Sequence, residues 1–299
     1  MFRIDNIEVE DTFAELFPAW AGRVIVTAEN EKWAMTAARV ATGFSSSIMG
    51  SPAEAGIEKM VSPEETPDGR TGSVIQIYHR TRRNLRTQMV ARMGQCVMTC
   101  PTTSAFDGLT EAKRRLRVGR SLRYFGDGFQ KRDRYAGRRV WRIPVMEGEF
   151  IVEDSFGSLK AFVRGNFLIL AKDMKSGLSA SEASVNAIHQ SAKEVILPFP
   201  GGICRSGTKS GSRKYKLTTS THHLYCPRLR KLVSGSKVPN EVKSIYEIVI
   251  NGLKLESVKS AMAEGIRAAA GIQGVVGISA VNYGGNLGPF HVYLHEILS

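Results

Sequence analysis

SIYEIVINGLKLESVKSAMAEGIRAAAGIQGVVGISAV, residues 244–281, changes its hydrophobic period twice and so decides the fold. SIYEIVIN has the β-branched and aromatic content of a half-buried strand. In LESVKSAMAEGIRAAAG, Leu255, Val258, Met262, Ile266 and Ala269 recur at helical spacing. VVGISAV returns to a strand. Upstream, GNFLILAK (165–172) predicts a strand, SASEASVNAIHQSA (179–192) a helix and EVILPF (194–199) a strand. Ser179 and Glu182 have capping-box spacing, which starts that helix at Ser179. The order is strand–helix–strand–strand–helix–strand, the split βαβ or ferredoxin-like unit.

The first half carries the same order. GRVIVTA (22–28) reads as a strand, and NEKWAMTAARVATG (30–43) as a helix closed by Gly43. SSSIMG (45–50) is the best candidate for a weakly marked second strand, and GSVIQIYH (72–79) is the third. TRRNLRTQMVARMG predicts a helix burying Leu85, Met89 and Met93, and QCVMTC (95–100) the closing strand. Between the repeats, RRVWRIPVMEGEFIVEDSFG alternates around Glu147 and Gly148 as a β-hairpin. The expected class is α+β, with duplicated ferredoxin-like cores and an inserted β-hairpin in two lobes, 1–160 and 161–299.

The chain has 299 residues, a net charge of +13 and a pI near 9.7. Residues 113–139 hold eleven Lys or Arg against two Asp, with Tyr124, Phe125, Phe129 and Tyr135 interleaved. Such a stretch is a solvated surface, a dock for a polyanionic small molecule or protein, or a nucleic-acid patch. No RNP, KH or zinc-finger motif supports the last. The four cysteines include no C-x-x-C pair, so no zinc site and no disulfide framework is indicated. No apolar run is long enough for a membrane span, and the acidic N-terminus is not a signal peptide, so a cytoplasmic protein is expected.

Most catalytic motifs are absent, including G-x-S-x-G and G-x-G-x-x-G. GICRSGTK (202–209) misses the phosphate-loop pattern by one place, because Thr208 stands where Lys is required. The wider PFPGGICRSGTKSGSRK remains rich in donors, and Pro200, Gly201, Gly202, Ser206, Lys209 and Ser212 are candidate contacts to an anionic ligand. Asn282, Gly284 and Gly285 of NYGGNLGPF would allow close backbone approach to a ligand. His222 and His223 read as polar loop histidines. Glu247 stands among Ile245, Tyr246, Ile248 and Val249 of its strand. It is either an edge residue, solvated or paired with an Arg, or a desolvated carboxyl able to move protons near neutral pH.

Long strings along the whole chain carry a resemblance. They include EDTFAELF (10–17), KWAM (32–35), PAEAGIE (52–58), PEETPDGR (63–70), GQCVMTCPTTSAFDG (94–108), VWRIPVMEGEFIVEDSFG, PFPGGI, YEIVINGL and NYGGNLGPF. With these the chain resembles the formylmethanofuran:tetrahydromethanopterin formyltransferases. The resemblance implies two lobes with ferredoxin-like cores, dimers or tetramers, and no metal or prosthetic group. It also implies formyl transfer between the amine of methanofuran and a ring nitrogen of tetrahydromethanopterin, with Glu247 at the position of the family's proposed catalytic glutamate. Anionic coenzymes would suit the basic surface. RSLRYFGDGFQ and LGPFHVYLHEI are similar to bacterial versions, which are subunits of a formyltransferase/hydrolase complex and use a polyglutamate-tailed methanofuran analogue. A scaffold subunit without activity is the alternative. Departures from the family pattern are His222 and His223, where members usually have Asn-Asp, together with Val281 and Asn286.

Overall fold

The computed structural model describes residues 1–4 and 7–299 and divides them into two compact units, 19–161, and 1–18 with 162–299. The first 18 residues thus belong with the C-terminal unit, which differs from the expected 1–160 lobe. The reason lies in pairing: Phe13–Leu16 pair antiparallel with Phe290–Tyr293, and Ile7–Val9 lies parallel to Val275–Ser279. No described helix is long and apolar enough to cross a membrane.

In the 19–161 unit, the strands run in the spatial order Glu54–Val61, Gly72–His79, the 19–27 part of Phe13–Thr27, Ser104–Asp107, Gly148–Glu153, Arg138–Val145 and Lys131–Tyr135. Gly148–Glu153 lies parallel to Ser104–Asp107, so the sheet is mixed. Helix Glu31–Thr42 starts where Asn30 accepts a hydrogen bond from the Trp33 N–H, and it buries Ala34, Ala37, Ala38 and Ala41. Helix Arg82–Arg92 buries Leu85 and Met89. Met89 lies so close to the central strand that a Cβ on Gly22 would come within 2.6 Å of its sulfur.

Two expected strands of this unit are corrected. Residues 45–50 form bends and turns, and the second strand is Glu54–Val61. Its alternation is hidden by Gly56 and by a bulge between Ile57 and Lys59. QCVMTC continues the preceding helix as the π-turn Met93–Val97, and the fourth strand is Ser104–Asp107. A short apolar run fits either state, and here packing of Met93 and Val97 into the core decides it. The expected hairpin is present as Arg138–Val145 with Gly148–Glu153, and Lys131–Tyr135 adds a third strand.

In the other unit the order is Val195–Ile196 with Ile203–Cys204, then Ser244–Gly252, the 162–171 part of Phe156–Ala171, Val275–Ser279, Ile7–Val9 and Phe2–Ile4. One face is closed by helices Met174–Ser191 and Leu255–Ala270, with Phe167, Ile169, Ile248 and Ile250 packed against Val258, Met262 and Ile266. The first helix starts earlier than Ser179, at Met174, because the Asp173 carboxylate caps the Ser176 N–H at 2.8 Å. The opposite face carries a smaller cluster, in which Leu168 and Leu170 pack with Tyr225, Val238, Val242 and Val281. Alternation along Ser244–Gly252 puts Glu247 on that second face.

Candidate active site

Glu247 lies mid-strand, paired with Leu168 on one side and Cys204 on the other. It is half-buried and stands in the wall of two small clefts. The larger cleft, about 90 Å³, is lined by Leu168, Cys204, Ser206, His222, Tyr225 and Val281 together with Glu247. That volume admits a few waters or a small planar group such as a formamide. A second cleft of about 10 Å³ lies against Glu15, Arg164, Asn166, Thr208 and Val281, again with Glu247 in its wall.

Burial pushes the Glu247 carboxyl up to about 7, against the pull of the Arg164 charge and of a hydrogen bond from the Cys204 thiol. A carboxyl there is part acid and part base at neutral pH. The edge-strand reading is thereby removed, since Glu247 has a strand on each side.

Arg164 is placed by a local distortion. The register between Phe156–Ala171 and Ser244–Gly252 slips between Phe162 and Gly165, and Arg164 takes φ 71°. A left-handed conformation costs a non-glycine residue about 1–2 kcal/mol. The buried Asn251 side chain holds the distortion by accepting from the Arg164 N–H at 3.0 Å. Asn166 donates to the Arg164 carbonyl at 3.2 Å, and it also clamps Val281 by accepting from its N–H at 2.7 Å and donating to its carbonyl at 3.0 Å. The wall shared by the two clefts is therefore fixed by side-chain hydrogen bonds on the backbone.

The Gly-rich loop after the last core strand is organised by Glu15, a residue that sequence reading did not single out. Its carboxylate is buried and accepts from the N–H groups of Tyr283 (2.6 Å), Gly285 (3.2 Å), Leu287 (2.5 Å) and Gly288 (2.5 Å). Burial pushes this carboxyl up, but the four backbone donors outweigh it and hold it below the ordinary carboxylate range. Asn282 ties the same loop down by donating to Thr12 Oγ1 and to the Phe13 carbonyl. Gly284 and Gly285 adopt φ 71° and 76°, which lets the loop wrap one carboxylate.

The residues singled out from sequence are brought together unevenly. Ser206 lines the larger cleft with Glu247. Lys209 sits in the short hairpin Thr208–Ser210/Thr219–Thr221, close enough to depress the basicity of both His222 and His223. Ser212 accepts from the Tyr215 N–H at the hairpin tip. Pro200, Gly201 and Gly202 form a 3₁₀ turn that enters neither Glu247 cleft. Asn282, Gly284 and Gly285 shape the Glu15 socket, beside Tyr283 in the smaller cleft. In the basic stretch, Arg115 pairs with buried Asp107 at 2.7 Å and Arg138 with Glu153 at 2.8 Å, so part of that charge is structural. Arg132, Arg134 and Arg139 remain on an open surface.

Comparison with known proteins places the whole chain in one family. Residues 2–145 match the model of the formylmethanofuran-tetrahydromethanopterin formyltransferase family, and residues 148–297 match that of its proximal lobe. Similar curated proteins carry the name formylmethanofuran–tetrahydromethanopterin formyltransferase. The protein from Methanocaldococcus jannaschii is 50% identical over 98% of this chain and 99% of its own, and that from Methylobacillus flagellatus 45% over 99% of each. The solved enzyme from Methanosarcina barkeri superposes with a TM-score of 0.95 at 45% identity, covering 99% of this chain and 100% of its own. A chain of the formyltransferase/hydrolase complex from Methylorubrum extorquens, solved with methylofuran, superposes with a TM-score of 0.95 at 44% identity over 100% and 99% of the two chains. With both halves matched by the family's models and full-length relatives at up to half identity, the chain belongs to the formylmethanofuran–tetrahydromethanopterin formyltransferase family.

Proposed function

We propose that this protein moves a formyl group between the amine of a methanofuran-type coenzyme and a ring nitrogen of tetrahydromethanopterin, with Glu247 as its proton carrier. The observation that carries this reading is the desolvated Glu247 carboxyl, pushed up to about 7 beside a cleft the size of the reacting group. The incoming amine nitrogen attacks the formyl carbon and the carbonyl oxygen becomes an oxyanion. Glu247 as carboxylate accepts the proton released by the attacking nitrogen. As carboxylic acid it returns that proton to the departing nitrogen while the old C–N bond breaks. The formyl group has then changed nitrogens, and Glu247 is back in its starting state. A pKa near the working pH suits a group that must be both base and acid in one turnover. The reaction requires no covalent nucleophile.

Several finer readings go with it. The two units are read as copies of one ferredoxin-like plan, because in each the second, third, first and fourth core strands are neighbours in that order, with two helices on one face. The protein works in the cytoplasm as a homo-oligomer or beside the hydrolase subunits of a larger assembly. The exposed Arg132, Arg134 and Arg139 would meet the carboxylates of a coenzyme tail. Transfer by the purified chain alone, lost in Glu247→Gln, supports the enzyme. Coenzyme binding without transfer in both would leave the scaffold reading.

A further inference from the structure

Strand Phe156–Ala171 carries one residue more than its partner between Phe162, which pairs with Gly252, and Gly165, which pairs with Ile250. Phe162 and Gly165 both face the helices: Phe162 packs on that core, and a Cβ on Gly165 would collide with Val258. Counted from Phe162, strict alternation would send Arg164 to the same face. The extra residue sends it instead to the face of Glu247, and the two stand in the wall of the smaller cleft with Asn166 and Val249. Bulges beside active sites commonly re-aim a side chain in this way. The fold maintains this one with a left-handed Arg164, and with the Asn251 and Asn166 side chains on its N–H and carbonyl. Strain held from both sides persists where it positions a group. Among the described residues the guanidinium itself forms no hydrogen bond or ion pair, so no carboxylate neutralises it.

We propose that Arg164 is a positioning residue of the transfer, whose charge, set beside Glu247 by the bulge, keeps that carboxyl available as a base. This rests on the reaction proposed above and assigns the group that readies its proton carrier. Burial alone favours the uncharged acid, and a carboxyl that never ionises at the working pH takes no proton from an attacking nitrogen. A direct ion pair would err the other way and fix Glu247 as an anion, as the backbone donors fix Glu15. An arginine in the same cleft without such a pair leaves the carboxyl between these limits. The Arg164 charge is the larger of the two influences that offset burial, and the carboxyl stands at about 7. The other titratable groups facing Glu247 differ in kind. In the smaller cleft Glu15 is held by its backbone donors, and Tyr283 belongs to the loop that supplies them. In the larger one Cys204 is kept a thiol and His222 a neutral ring, beside Tyr225, Cys226, Tyr246 and the exposed Arg205.

The test follows two curves against pH: kcat for formyl transfer, and the titration of the ¹³C-labelled Glu247 carboxyl in the free protein. Wild type is compared with Arg164→Met, Arg164→Gly, Arg164→Lys and Arg205→Met, with thermal melting as a folding control. Glycine accepts φ 71° without strain, so Arg164→Gly removes the charge even if Arg164→Met does not fold. Without the charge, the acid-side midpoint of both curves should rise by about one pH unit. Turnover at pH 7 then falls about five-fold and recovers toward the wild-type level above about pH 9, as a purely structural loss would not. Arg164→Lys should keep the midpoint near its wild-type place, and so should Arg205→Met, which removes a cation from the larger cleft. An unmoved midpoint in folded Arg164→Met or Arg164→Gly overturns the proposal, and so does an equal rise in Arg205→Met. Absence of transfer by the wild type would count against the proposed function instead, and the carboxyl titration would still decide whether Arg164 sets the charge of Glu247.

Discussion

Glu15 and Glu247 are both glutamates within strands, and both touch the smaller cleft, yet their surroundings drive them in opposite directions. Four backbone N–H groups converge on Glu15 and keep it an anion. Glu247 has no such set of donors. Burial dominates there, and the Arg164 guanidinium and the Cys204 thiol only partly offset it. The difference teaches that burial alone does not set protonation. What decides is whether the backbone turns its donors toward the carboxylate. Glu15 is a rivet for the 282–288 loop, and Glu247 is a carboxyl held ready to exchange its proton.

The largest effect that would sharpen this comparison is on turnover. Glu247→Gln preserves shape and removes the proton carrier, so kcat should fall on the order of 10³-fold while both coenzymes still bind. Glu15→Gln should do the reverse. It replaces an acceptor-only group by one with an N–H₂ facing other donors, costing about 2–3 kcal/mol of stability. Denaturant unfolding would measure the loss, and amide exchange at Tyr283, Leu287 and Gly288 should speed up. A Glu15→Gln protein as stable as wild type would break the rivet reading.

Their pH signatures have opposite signs. Glu247 ionises less readily folded than unfolded, so its contribution to stability is complete below its ordinary value near 4.5 and is lost as pH rises through about 7. Glu247→Gln should therefore gain on the wild type by up to about 3 kcal/mol between pH 4.5 and 8, the equivalent of the shift. Glu15 is shifted down, so its contribution is present above its ordinary value near 4.5 and disappears as pH falls below it. The deficit of Glu15→Gln should shrink in acid. Unfolding curves across pH 4 to 8 check both signs, and parallel curves for the two variants would contradict the contrast.

The smallest expected effect lies on the exposed basic surface. Replacing Arg132, Arg134 and Arg139 with alanine should leave kcat unchanged and weaken a polyglutamate-bearing coenzyme a few-fold at low salt, with the difference fading at high salt. Arg115 and Arg138 are unsuitable for that test, since they neutralise Asp107 and Glu153 inside the unit.

The two carboxylates also mark how far the sequence could be read. Glu247 was visible because its neighbours Ile245, Tyr246, Ile248 and Val249 are apolar, so a charge on that face needed a reason. Glu15 was not, because its four donors lie some 270 residues away, and nothing local in FAELF distinguishes it from a solvent-facing strand residue. The helices and strands with a sustained period, such as Gly72–His79 and Leu255–Ala270, were legible from end to end. Glu54–Val61 was missed because Gly56 and a bulge break its alternation, and the π-turn at Met93–Val97 because five residues are too few to carry a period of their own. The histidines at 222 and 223 looked alike in sequence. Only the fold separates the one lining the Glu247 cleft from the other.

The most direct measurement is formyl transfer by the purified chain, followed through the pterin absorbance with formyl-tetrahydromethanopterin and methanofuran, for wild type beside Glu247→Gln. The account predicts turnover by the wild type and its near-complete loss in the variant with coenzyme binding retained. Wild-type-like turnover in Glu247→Gln would contradict it.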